Sequence, residues 1–356
     1  MSIQEQFPFA AHTLLPNISY PTLRNAIQHR AKEFDLPLAQ DSETEIQLKT
    51  AYGTYRFWHG DEAPIAEIGS SRSDWLYVLK ESLQEIIHEL SPEIAKAIHW
   101  SDAQESAGNR PPNFQFITIE DVTALAGGFL RVTALAEDLS HFTTDSIHFR
   151  LALPDPERQE PQWPYLSDSG QTIWPKGEAA LHRPVYTVRD MDISTSRLTF
   201  DIFIHEGGRA TAWAQRVTPG TRVGLTGPGG GGIPEVDQIT MYADETGFPA
   251  VARILEALGP NASGHVVLQQ TCSASAHYPM PTHPGVSIEY VQESDSDLGD
   301  LAIETMRDRP DQMIWLAAEK AAAQKLRAAF KTEGLNTKEH YIAAYWTRPA
   351  ISNTQG

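Results

Sequence analysis

Between Asn113 and Gly227 the chain reads as one short strand after another, and from about Pro234 it alternates strand and helix. That change of period is the strongest constraint on what the chain can fold into. Successive short strands with turns between them close into an antiparallel barrel or sandwich. "FITIEDVTALAGGFLRVTALAED" supplies two strands around Gly127 and Gly128. "SIHFRLALP", "HRPVYTVRD" and "RLTFDIFIHE" follow, the last with Leu198, Phe200, Ile202 and Ile204 alternating. A short helix in "ATAWAQRV" and the turn "TPG" precede the strand "TRVGLTG". Beyond Pro234, "DQITMYAD", "HVVLQQT", "VSIEYVQ", "QMIWLAA" and "HYIAAYW" read as strands. "FPAVARILEALG" is a helix with Val251, Ile254, Leu255 and Leu258 on one face and Gly259 as its stop. Further helices are predicted over 298–307 and 321–330. Strand–helix alternation of this kind implies a parallel sheet with helices packed on it.

The first 107 residues have another texture, α+β. A helix is predicted over 22–34, with short strands at "EIQLKT" and "TYRFWHG". A second helix carries Trp75, Leu76, Leu79, Leu83, Ile86, Ile87 and Leu90 on one broad face, with Ser71 or Ser73 as its N-cap. "SDAQESAGNRPP" reads as a linker. The expected domains are therefore 1–107, 108–232 and 233–356, which suits a chain of 356 residues. Trp58, Trp75 and Trp100 are expected to be core residues.

Composition narrows the function classes. Hydrophobic residues make up 41% and charged residues 21%, with no apolar run near the length of a membrane span. "MSIQEQFPFAAHTLLPN" lacks the basic and apolar blocks of a secretion signal, so cytoplasmic residence is expected. Cys272 is the one cysteine, which excludes an internal disulfide and reads as a bystander thiol. A formal charge of -18 argues against nucleic-acid or membrane-surface partners, and the sequence leaves monomer and oligomer both open. Thirteen histidines include no H-E-x-x-H and no cysteine–histidine spacing, so no fixed metal site is expected.

"LTGPGGGGIP" places Gly227, Gly229 and Gly232 in G-x-G-x-x-G spacing. A dinucleotide fingerprint of that form leaves a strand and opens a helix. Here Pro234 and another strand follow, so the glycines read as a turn joining the barrel to the α/β part.

Chemistry concentrates in "RPVYTVRD" and in "FDIFIHEGGRATAWAQRVTPGTRVGLTGPGG". With "YADETGFPAVARILE" and the ending "YIAAYW", their order and spacing resemble the siderophore-interacting, FAD-dependent ferric reductases of the ferredoxin-reductase superfamily. The resemblance covers about Phe114 to Trp346. It implies a multidomain protein: the N-terminal α+β domain as an accessory, an antiparallel flavin-binding β-barrel, and a C-terminal α/β parallel-sheet nucleotide-binding domain. The accessory region faintly resembles a small domain sometimes associated with such reductases. It is expected to be dispensable for flavin reduction, so that a chain beginning near Asn109 would fold and bind FAD.

The resemblance assigns Arg183 to the FAD phosphates, Tyr186 to the flavin ring and Thr187 to its reactive edge, the last two as catalytic positions. Those residue types suit these roles, since an arginine fork pairs with phosphate oxygens and a tyrosine ring packs on an aromatic system. Strict alternation puts Arg183, Thr187 and Arg189 on one face and Tyr186 on the other. The flavin would then lie across a strand end or edge, which Pro184 favours. The helix in "GRATAWAQRV" brings Ala210, Thr211, Ala212 and Trp213 toward a phosphate, with His205 just before it. Arg209 stands where the family usually has proline. The family's Gly-Pro-rich loop puts Gly227 and Gly229 beside the FAD.

For the nicotinamide nucleotide, NADPH or NADH, the resemblance implies Asp244, Glu245 and Thr246, at the end of the first parallel strand where open α/β sheets bind nucleotides. Two carboxylates repel phosphate, which favours Thr246 and the backbone as contacts. Glu319 follows from "WLAAEK", where Ala318 replaces the usual glycine. Trp346 matches a C-terminal aromatic near the flavin. Thr347 replaces a basic residue, so Arg348 and Arg189 are the expected substrate cations. The implied activity passes electrons from NAD(P)H through FAD to chelated Fe(III), releasing Fe(II) from a ferric siderophore. The alternatives are a reductase of free flavin, quinone or a redox partner, or a siderophore-binding protein without turnover.

Overall fold

The computed structural model describes residues 3–348 apart from 35, 145, 159 and 338. Its contacts divide the chain into two compact units: Met1–Phe114 together with Arg158–Ala180, and Gln115–Glu157 together with Leu181–Gly356.

The first unit is a five-stranded antiparallel sheet in the order Phe9–Leu14, Pro64–Ser70, Gly53–His59, Glu45–Thr50, Leu38–Asp41. Ile46, Leu48, Tyr55, Phe57, Ala66 and Ile68 share one sheet face because they alternate along paired strands. They share a core with residues of the helices Tyr20–Phe34 and Ser73–Leu90, including Leu23, Ile27, Leu79 and Leu83. The longer helix starts after Arg72, which makes no side-chain cap, and neither serine expected there serves. Trp100 is buried, whereas Trp58 and Trp75 are half-exposed under the guanidinium groups of Arg56 and Arg72.

"SDAQESAGNRPP" is not a linker. It contains the helix Ala103–Ser106, and its Gly108 and Asn109 pair with Leu166 in Arg158–Ala180. Gln171 donates its side-chain amide to the carbonyls of Ala95 and Ile98, at the end of the helix Pro92–Ala97. Tyr77 and Thr172 hydroxyls meet at 2.7 Å, and Leu166 is buried. A segment lying within the expected barrel domain thus completes the N-terminal unit. The boundaries 1–107 and 108–232 do not follow the compact units for that reason.

The second unit holds a seven-stranded antiparallel sheet and a five-stranded parallel one. The antiparallel order is Val185–Thr187, His148–Ala152, Arg222–Gly229, Phe114–Leu125, Phe129–Ala136, Arg197–Phe203, Asp190–Asp192. Its two outer members are halves of one continuous stretch, residues 185–192, so the sheet closes on itself. The seam is stitched by Val188 N–H to Ile147 and Arg189 N–H to Thr199. Leu198, Phe200, Ile202, Phe149, Leu151 and Leu225 fill the interior, as alternation requires.

The parallel sheet runs Val286–Gln292, Ser263–Gln270, Gln238–Ala243, Met313–Glu319, Tyr341–Trp346. The helices are Phe248–Ala257, Leu298–Asp308 and Lys320–Glu333. The chain order reverses at the central strand Gln238–Ala243, so a ligand crevice opens beyond its carboxyl end.

Candidate active site

Three strands of the barrel present a shared outward face. Cross-strand partners point the same way, so Thr187 lies beside His148, and Arg150 lies between Val185 and Thr226. Tyr186 pairs with Phe149 and packs its ring 5.6 Å from Phe200, on the barrel core. Alternation therefore separates Tyr186 from Thr187, as the sequence implied. Val185 is 46% exposed, and Arg150, Arg183 and Arg209 are exposed. Arg150 and Arg209 have no carboxylate partner among the described residues. Gly229 pairs with His148, and a Cβ on it would meet nothing within 4 Å. Exposed Arg150 and Val185 beside the open Gly229 form a ledge that fits a flavin with a diphosphate, with Thr187 buried at 4% exposure next to it.

The glycine run has a packing explanation. A Cβ on Gly230, whose φ is +75°, would lie 2.7 Å from Nδ1 of His148. One on Gly231 would lie 2.4 Å from the Tyr341 ring. Burial pushes the His148 imidazole down to about 4, so it is neutral at physiological pH, and its Nε2 meets the Tyr345 hydroxyl at 2.6 Å. Tyr345 precedes Trp346 on the last parallel strand. The ledge and the crevice thus meet within one unit.

In the crevice, Asp244 is 5% exposed. Its Oδ1 accepts from the backbone N–H and hydroxyl of Thr246 at 3.0 and 2.5 Å, and its Oδ2 from Nε1 of Trp346 at 2.7 Å. Burial raises its carboxyl to about 6 against these donors. The native state then holds that proton more tightly than the unfolded chain, so this group removes stability as pH rises from near 4 through 6. Asp244→Asn is expected to gain on the wild type by up to about 3 kcal/mol between pH 4 and 7. Urea unfolding at the two pH values checks it; a pH-independent difference would refute the assignment.

The same geometry has relatives. Residues 118–232 match the family model described as siderophore-interacting FAD-binding domain, and residues 236–349 the one described as siderophore-interacting protein. The chain belongs to the siderophore-interacting FAD reductase family. It is 28% identical over 247 residues to an NADPH-dependent ferric-chelate reductase of Escherichia coli, covering 65% of this chain and 92% of that one. It is 34% identical over 148 residues to a ferric vibriobactin reductase of Vibrio cholerae, covering 39% of this chain and 52% of the relative. A crystal structure of a siderophore utilization protein from T. fusca superposes with a TM-score of 0.57 at 26% identity, over 67% of this chain and 94% of that one. FAD and a nicotinamide nucleotide are the cofactors of the family and of this chain. No helix among the described residues is long and apolar enough to cross a membrane. No group of three or more His, Cys, Asp or Glu among them is placed to hold a metal ion.

Several residues that the family resemblance singled out sit differently from expectation. Arg189 donates both Nη groups to Glu256 of the helix Phe248–Ala257, at 2.6 and 2.7 Å, so it braces the barrel against that helix instead of facing a substrate. Arg348 pairs with Glu293, lies over the Trp346 ring and donates its backbone N–H to Glu319. Both expected substrate cations are thereby neutralised. Glu245 is 2% exposed, and its Oε1 accepts from the Thr271 backbone and hydroxyl and from Ser275. It pins the first crevice loop to the second through Oε1. Glu319 caps the helix Lys320–Glu333 through the Ala321 N–H. The Thr246 hydroxyl proton is committed to Asp244.

Near the short helix Arg209–Ala214, Thr211 is buried and donates its hydroxyl to the Phe203 carbonyl, while its oxygen accepts from the His205 N–H. It stabilises the loop entering the helix, leaving backbone and Arg209 as the outward groups there. Ala210 is buried, Ala212 half-buried, and Trp213 packs on the barrel core. His205 is exposed with Nδ1 near the Glu206 carbonyl, and Cys272 is exposed.

Sequence reasoning missed His148, Tyr345, and a buried cluster in which Asp201 accepts from Arg131 and Tyr278. An aspartate inside the strand "FDIF" was the available signal, because that residue is depleted in strands.

Proposed function

We propose that this chain is a ferric-siderophore reductase, passing electrons from NADPH or NADH through FAD to chelated Fe(III) and releasing Fe(II). The observation that carries the reading is the meeting of the cationic barrel ledge with the switch-point crevice inside one unit, through His148 and Tyr345. Bound FAD supplies the change from two-electron to one-electron chemistry, so one hydride reduces two ferric ions. Reduction lowers the cation's charge and weakens its hold on hard oxygen ligands.

The chain's own residues bind and orient. Arg183 holds the diphosphate as an ion-paired fork. Thr187, 4% exposed, lies beside His148 on the strand that would border the flavin's reactive edge. Trp346, fixed by Asp244, lines the nucleotide's approach. No proton-transfer dyad is required, because positioning does the work.

Arg183→Ala is expected to weaken FAD binding by about 10- to 100-fold, the worth of a charge-assisted bond. Flavin fluorescence on dilution measures it, and unchanged retention would remove Arg183 from the site. The function itself is tested by anaerobic stopped flow, with flavin bleaching by NADPH or NADH followed by reoxidation with ferric hydroxamate and ferric catecholate chelates. Bleaching without chelate reduction would favour a free-flavin or quinone reductase. Chelate binding without bleaching would favour a carrier.

A further inference from the structure

His148 occupies a position that no motif marks. On one side its cross-strand partner is Thr187, on the other Gly229. Its Nε2 meets the Tyr345 hydroxyl at 2.6 Å, with the two rings edge to face at 5.4 Å. Both partners are held from behind. The missing side chain of Gly230 admits the imidazole, and that of Gly231 admits Tyr341. Trp315 stacks on Tyr341 at 5.2 Å and meets Tyr345 edge-on at 6.3 Å. Ile147 N–H and the Ser146 hydroxyl bond to the carbonyls of Gly231 and Gly230. Little rotamer freedom is left to either ring.

We propose that the His148–Tyr345 hydrogen bond is the stop that sets the spacing between the flavin ledge and the last strand of the nucleotide sheet, making both residues positioning residues for hydride transfer. The proposal rests on the functional reading above. Transfer requires the reacting atoms about 3–3.5 Å apart, and a 1 Å displacement costs about a hundredfold. The bond joins the neighbour of Thr187 directly to the neighbour of Trp346, so any slack in it appears at the transfer distance.

The test uses the full-length, FAD-loaded protein. Tyr345→Phe keeps the ring and removes the hydroxyl; His148→Gln keeps a hydrogen-bonding amide of similar reach. Bleaching at saturating NADPH is expected to fall at least about tenfold in Tyr345→Phe, and about threefold or less in His148→Gln. The apparent NADPH Kd and FAD retention should stay within about twofold. In the apo-proteins, Tyr345→Phe should accelerate amide exchange in residues 229–231 and 341–346. An unslowed bleaching rate with faster exchange would overturn the proposal, as would a loss that tracks the NADPH Kd. Should Tyr345→Phe fail to fold, His148→Phe is read by the same measurements. A wild type that neither NADPH nor NADH bleaches removes the functional reading and this proposal with it. A bleached wild type with unslowed variants removes this proposal alone.

Discussion

A chain beginning at Asn109 is expected to be lost from the soluble fraction, although every motif of the flavin and nucleotide sites would still be present. The reason lies in Arg158–Ala180, which belongs to the N-terminal unit. Without residues 1–108 this segment keeps its apolar side chains and loses their cover. Leu166, buried in the intact protein, alone forfeits about 1.5–3 kcal/mol of burial. Gln171 loses its carbonyl partners, the Ser169 carbonyl its bond from Trp100 N–H, and Thr172 its bond to Tyr77. A chain starting at Gln115 with 158–180 replaced by a short Gly-Ser turn is expected to remain soluble and bind FAD. Closure is geometrically easy, since Leu153 and His182 already exchange backbone bonds of 2.9 and 2.8 Å. Expression and size-exclusion profiles of the two chains decide it. Equal solubility would show that the inserted segment does not depend on the N-terminal unit.

Asp201→Ala is expected to destabilise the second unit by about 3–5 kcal/mol, the usual loss when one member of a buried charged cluster is removed. Asp201 has a fully buried side chain on the strand Arg197–Phe203. It takes two bonds of 2.8 Å from Arg131 and one of 2.8 Å from Tyr278, which follows the second parallel strand. Truncation leaves a half-buried guanidinium without its anion and a buried phenol without its acceptor. For a unit of this size the melting temperature should fall by about 10 °C. Asp201→Asn, which can still accept from Tyr278, should lose less. A fall under about 1 kcal/mol would mean that water or a rearranged partner replaces the carboxylate.

Elements with strong periodicity were legible in the sequence. The inward row Leu198, Phe200 and Ile202 is buried as its alternation requires, and the five parallel strands appear where strand–helix alternation put them. Local signals failed where tertiary partners decide. The polar, proline-rich composition of residues 101–112 carries no trace of the distant residues 166–171 that complete it. Arg189 and Arg348 illustrate the same limit at the site. Their positions along the chain suit a substrate cation, but Glu256 and Glu293, far away in sequence, neutralise them. The flanks of the glycine run exclude a dinucleotide fingerprint, and its role becomes visible only with the rings of His148 and Tyr341 beside it.

Residues 185–192 form both ends of the barrel's strand order, and they also contain Tyr186 and Thr187. With FAD placed across that stretch as proposed, ligand occupancy and circumferential integrity are coupled at one seam. A molecule spanning that stretch acts as a clasp on the ring, contributing stability that grows with the logarithm of its free concentration above its Kd. The empty barrel should yield first along this line, so flavin supply would govern how much of the chain survives proteolysis.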